Sequence, residues 1–126
     1  MAFITLYRGL RNKNEMERLC AYKTAGGKER ASTAPTAPTE EEIKNYKEKG
    51  TAGECFPPKP DKVILTAFTE YTFCENIARQ FGSRSGYMAV IEVDEQYVRA
   101  FKNDTLEHGV LIRSDTPLHS VEIYNV

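Results

Sequence analysis

Residues 31–39 read ASTAPTAPT, and residues 51–62 carry Pro57, Pro58 and Pro60. Neither stretch suits a helix interior or a central strand. Proline lacks an amide proton, and its ring pushes the preceding residue away from the helical region. Small polar side chains also bury little apolar surface, so residues 31–39 are expected to form an exposed loop. The core must come from short apolar runs on either side. A chain of 126 residues with 40% apolar content then gives one domain, 1–126, with an irregular segment at 23–60.

The runs are easily placed. FITLY at residues 3–7 predicts a buried strand, followed at once by Arg8 and Gly9. Residues 14–22 predict a helix with Asn14 as N-cap and Met16, Leu19 and Cys20 on one face. Residues 24–27 are small and read as flexible. Thr39 and Glu42 form a capping box for a short polar helix that Gly50 ends. From Lys62 onward the texture turns to strands at 63–69, 87–93, 98–101, 110–112 and 120–124. A helix opened by Thr72 or Glu75 carries Ile77, Ala78 and Phe81 and stops at Gly82. The class is α+β with a sheet-rich second half.

Charge and cysteine content exclude several functions. With 17 basic and 18 acidic residues the net charge is −1, which argues against coating nucleic acid or an anionic membrane. The balance is uneven. Residues 1–62 hold 12 Lys/Arg against 9 Asp/Glu, and residues 63–126 hold 5 against 9, so an anionic ligand fits the first half better. No run of 18 apolar residues predicts a membrane span, and the first residues are too polar for a signal peptide. Cys20, Cys55 and Cys74 are odd in number and form no CxxC, so reduced thiols and no metal are expected, with a cytosolic site of action reached either as a resident protein or by delivery within a larger secreted one.

Three places carry candidate chemistry. Arg8 follows an apolar strand and offers a planar fork for phosphate or carboxylate, with Gly9 allowing close approach of the backbone. Thr66, Phe68 and Glu70 alternate to one strand face, a surface able to support a ring, while Ala67 and Thr69 take the other. Glu107 enters an apolar strand and can stand at a cleft edge. His108 reads as structural, and Glu122 as exposed on the last strand. Lys23, Lys28 and Arg30 read as surface cations within reach of a phosphate.

In order, Leu6-Tyr7-Arg8-Gly9, then Thr66-Ala67-Phe68-Thr69 with Ala78 and Phe81, then residues 86–91, then Glu107-His108-Gly109-Val110 resemble mono-ADP-ribosyltransferases of the arginine–serine–glutamate branch. That branch includes the cholera-toxin-like toxins and their small relatives. The resemblance implies two small packed sheets forming an NAD cleft, with segment 23–60 as its cover and short flanking helices. It implies cleavage of NAD's nicotinamide–ribose bond and transfer of ADP-ribose to a protein or nucleic-acid acceptor. It assigns Arg8 and Gly9 to NAD's phosphate and ribose region, Thr66, Phe68 and Thr69 to the nicotinamide pocket, and a strand glutamate to catalysis. A monomeric toxin or effector, with an immunity protein as partner, is the matching expectation.

The pattern breaks at its last motif. Without gaps, Gly109 takes the catalytic glutamate's position and Glu107 the upstream one. Three readings stay open: Glu107 serves as the catalytic acid alongside Arg8, another acid such as Glu70 or Glu122 replaces it, or the domain binds without catalysing. An NAD glycohydrolase, with water as acceptor, is a further alternative.

Overall fold

The computed structural model describes residues 2–30, 36–49, 67–100 and 108–126. Its elements run β1 (Phe3–Gly9), α1 (Lys13–Tyr22), α2 (Glu40–Lys49), β2 (Phe68–Thr72), α3 (Glu75–Gly82), β3 (Tyr87–Asp94), a single 3₁₀ turn (Glu95–Tyr97), β4 (Arg99–Ala100), β5 (Gly109–Arg113) and β6 (Ser120–Asn125). The class is α+β, and all strand pairings are antiparallel.

The described strands form one six-stranded sheet, ordered β4-β5-β2-β1-β3-β6, where two packed sheets were expected. The join at its middle is thin. β1 pairs with β3 along its whole length, from Phe3 opposite Asp94 to Gly9 opposite Met88. It meets β2 only where Tyr7 faces Thr72. The sheet is therefore two three-stranded halves that touch at one point and splay apart elsewhere.

Helices cover both faces. Leu19 of α1 joins Leu6, Ala89, Ile91, Val93, Val110 and Ile112 in the principal core, with Met16 packed against it. Cys20, expected on that face, is exposed. Side chains alternate along β3, so Ala89, Ile91 and Val93 share one face while Met88 takes the other. On β6, Val121 and Ile123 pack against the core and Glu122 is exposed, as the alternation predicts.

Local signals explain the element ends. Asn12, rather than Asn14, caps α1: its side chain accepts the Glu15 amide at 2.9 Å. Asn14 already lies inside the first turn. At α2 the capping box closes as expected, with Thr39 Oγ1 accepting from the Glu42 amide at 3.1 Å and Glu42 Oε1 accepting from the Thr39 amide at 3.0 Å. Thr72 belongs to β2, and its hydroxyl accepts the Cys74 amide, so Glu75 opens α3. Residues 63–66 of the strand expected at 63–69 lie outside the described residues, and β2 starts at Phe68 and continues past the expected end to Thr72.

Residues 24–27 are not a flexible loop. Thr24 and Ala25 are buried, and the Ala25 and Gly26 amides donate to the Thr116 and Ser114 carbonyls. The Tyr71 hydroxyl donates to the Ala25 carbonyl at 2.6 Å. Small side chains allow this: a Cβ on Gly26 would stand 2.4 Å from that of Ser114.

Gly9 also has a packing reason. A Cβ there would lie 2.3 Å from the Gly82 nitrogen and 2.5 Å from the Ala78 carbonyl oxygen, so α3 sits directly on β1. Gly9→Ala is expected to lower stability by ~2–3 kcal/mol through overpacking. Gly86→Ala is the comparison: nothing crowds Gly86, but its φ is +86°, and left-handed strain alone costs ~1 kcal/mol. Urea unfolding of both variants checks that order.

Candidate functional site

A cavity of about 360 Å³ opens at the splay between the half-sheets. Its walls come from Tyr7, Arg8 and Gly9 of β1, Leu10 and Arg11 of the following turn, and Glu70, Tyr71 and Thr72 of β2. Ile77, Ala78 and Phe81 of α3 and Gly109 of β5 complete it. The volume lies within the ~300–1,000 Å³ of small-molecule sites, at the small end.

Arg8 stands at the centre of this arrangement. Its Nε donates to Glu15 Oε1 at 2.8 Å, and its Nη1 donates to the Glu70 carbonyl at 2.8 Å. The first partner belongs to α1 and the second to β2, so the guanidinium bridges the gap that backbone pairing leaves. Its carbon lies 6.0 Å from the centre of the Tyr71 ring, within cation–π reach. Burial opposes the charge, but Glu15, Tyr71 and Tyr46 outweigh it and hold the Arg8 pKa above its ordinary value. A guanidinium carries five N–H donors, and these contacts use two.

Tyr71 is fully buried, and burial pushes its phenol above the ordinary range, against the pull of Arg8's charge. It is a neutral hydrogen-bond donor that ties residues 24–27 to β2.

Of the residues expected at the site, Arg8 and Gly9 line the cavity. Phe68 and Thr69 do not. Phe68 packs between the Arg113 guanidinium, 5.4 Å from its ring centre, and Tyr46, edge-on at 6.4 Å. Thr69 is buried, its hydroxyl 2.7 Å from that of Ser114. Both faces of β2 reach the cavity at residues 70–72; Phe68 and Thr69 lie at the other end of the strand, opposite Arg113 and Ile112 rather than Gly109. Thr66 and Glu107 lie outside the described residues. Among the other acids considered, Glu70 lines the cavity, whereas Glu122 is exposed on the edge strand and accepts from the Tyr124 hydroxyl. Gly109 lines the cavity, and His108 before it is exposed, with φ at 50°. Lys23, Lys28 and Arg30 are not among the lining residues: Lys23 caps the C-terminus of α1 in the left-handed region, and the Lys28 carbonyl accepts from the Thr24 hydroxyl.

Within segment 23–60, α2 is seated on the β2–β5 half by side-chain contacts. Glu42 of α2 forms a two-pronged ion pair with Arg113 of β5, at 2.8 and 3.1 Å. The Tyr46 hydroxyl donates to Glu70 Oε2 at 3.5 Å. So α2 lies across the β2–β5 half and touches a residue of the cavity wall.

Glu15 and Tyr71 escaped the sequence reading. A usable signal exists for Glu15: Asn12 with Glu15 three residues on is a capping-box pattern. Its carboxylate departs from that pattern by reaching Arg8 and the Arg11 amide. Tyr71 shows no signal beyond its place in an apolar-alternating strand.

Among the described residues, no three His, Cys, Asp or Glu side chains are grouped to hold a metal, and no helix is long and apolar enough to cross a membrane. Cys20 and Cys74 are free thiols. A scan against protein-family models matches none, and a search of curated proteins returns no match.

The Glu42–Arg113 pair makes the seating of α2 dependent on pH. The hydrogen bond from Arg113 is the main influence holding Glu42 below its ordinary 4.5. A depressed folded-state pKa stabilises fully above the unfolded value, and the contribution is lost as pH falls through the folded one. Glu42→Gln should therefore lower the melting temperature at about pH 7 and make no difference at about pH 2. Thermal unfolding across that range checks both ends.

Proposed function

We propose that this chain is an NAD-dependent ADP-ribosyltransferase, acting on a macromolecular acceptor as a toxin or effector domain. The observation that supports it best is Arg8: a partly buried, fully charged fork fixed in the cavity at the splay of two half-sheets. Such a fork suits a doubly bonded phosphate contact. The cavity has room for part of a dinucleotide, with the remainder extending toward α2. Apolar walls from Ile77, Ala78 and Phe81 offer a flat ring a place to pack.

The chemistry follows from the leaving group. The nicotinamide–ribose bond breaks with its electron pair going to the nicotinamide nitrogen, which leaves a ribosyl oxocarbenium cation. A fixed carboxylate lowers the energy of that cation. An acceptor nucleophile then bonds to the anomeric carbon and releases its proton. Glu107 is the acid assigned by the motif order, and Glu70 is the acid on the cavity wall. The finer fold reading, two packed sheets of the transferase type, draws support from the single-point contact between β1 and β2.

A second reading rests on Gly109. It lines the cavity at the position where the motif order calls for the catalytic glutamate, and it offers no side chain. On this reading the domain binds its ligand without cleaving it.

Titration calorimetry with NAD, together with nicotinamide release and transfer of label to lysate acceptors, separates these readings. Arg8→Ala is expected to weaken NAD binding ~10–100-fold, the loss of a charge-assisted contact. Glu107→Gln should abolish nicotinamide release while leaving binding within a few-fold; loss in Glu70→Gln instead would move the role to Glu70. Release without labelled macromolecule selects the glycohydrolase. Binding without release, with activity appearing in Gly109→Glu, selects the binding module. Absence of NAD binding by the parent chain would falsify the proposal.

A further inference from the structure

We infer that Glu15 is a positioning residue for Arg8, a residue of the cavity wall, fixing the orientation of its guanidinium. The inference rests on the reading above that Arg8 holds the ligand's phosphates, but its geometry stands independently.

Glu15 sits in the first turn of α1, and 13% of its side chain is exposed against 18% for Arg8. Its two oxygens have different duties. Oε1 accepts from Arg8 Nε at 2.8 Å, and Oε2 accepts from the Arg11 backbone amide at 3.3 Å. The Glu15 amide is itself held by the Asn12 side chain at 2.9 Å. The carboxylate thus ties the strand end, the turn and the helix start together at one place. An arginine side chain has several freely rotating bonds, and binding a ligand with a loose fork would cost the ordering of those bonds. Contact at Nε from α1 and at Nη1 from β2 leaves one orientation of the plane. The ligand then meets a fork whose ordering cost has already been met in folding. Arg8 and Arg11, both on the cavity wall, are linked through this one side chain.

A purely structural glutamate and a positioning glutamate differ in what Arg8 reports. In nitrogen-15 NMR of the full chain without ligand, the Arg8 Nε–H should exchange slowly with water and show a distinct shift. In Glu15→Gln it should exchange at least ~10 times faster, because a charge-assisted acceptor has been replaced by a neutral one. Calorimetry with NAD should show Glu15→Gln weakening binding ~10-fold in the parent and not at all in Arg8→Ala, since its effect passes through Arg8. Should Glu15→Gln lose its folded amide spectrum, Glu15→Asp carries the same two measurements, with its shortened carboxylate expected to give smaller changes in the same direction. An unchanged Arg8 Nε–H, or equal weakening of NAD in both backgrounds, overturns the inference. If the parent binds no NAD, the proposed function falls, and the Nε–H measurement alone decides the role of Glu15.

Discussion

The gap between β1 and β2 governs most of this structure. Two antiparallel strands side by side normally share a ladder, which leaves no room between them for a ligand. Here they share one residue pair, Tyr7 with Thr72, and then diverge. The guanidinium of Arg8 spans the opening to the Glu70 carbonyl. The cavity exists because backbone pairing stops, and the half-sheets stay in register because a side chain and α3 hold them. Gly9 belongs to the same device: without a Cβ it lets the α3 backbone rest on β1 beside the opening.

A largely buried cation at such a point is costly unless it is paired, and removing one partner of such a pair is more damaging than replacing both. Glu15 supplies the partner from α1, and the Tyr71 ring supplies a polarisable neighbour. Arg8, Arg11 and Glu15 come from the basic first half of the chain, and Glu70 and Tyr71 from the acidic second half. The site lies where the two charge-biased halves meet. The Glu42–Arg113 pair repeats that arrangement at the surface, seating α2 on β5.

Legibility from sequence varied by element for physical reasons. Strands at 3–7, 87–93 and 120–124 were evident because each alternates or runs apolar over several residues, and the structure extends them to Gly9, Asp94 and Asn125. The capping box of α2 was evident because its two hydrogen bonds join residues three apart. The N-cap of α1 was misplaced by two residues because Asn12 and Asn14 are chemically equivalent, and only the backbone of Asn12 is extended. Residues 24–27 look flexible by composition, yet Thr24, Ala25 and Gly27 are buried, and the carbonyls of Ser114 and Thr116, far along the chain, accept the Gly26 and Ala25 amides. Arg8 was recognisable at a strand end. Phe68 and Thr69 were drawn to the site by their motif, but they sit at the far end of β2 from the cavity, where Ser114 engages Thr69, and Arg113 and Tyr46 engage Phe68.

The amino-acid sequence alone determined most of the elements, though not the bounds of β2 or the cap of α1, together with the α+β class, the division into a basic and an acidic half, and Arg8 as the residue to watch. Each of these is written in local periodicity, capping chemistry or charge. Tertiary structure alone decided that β1 and β2 part after a single pair, that Gly9 serves helix packing, and that Arg8 is clamped by Glu15 and the Glu70 carbonyl. Those outcomes depend on strands from opposite ends of the chain arriving beside one another, and no local pattern encodes the distance at which they stop.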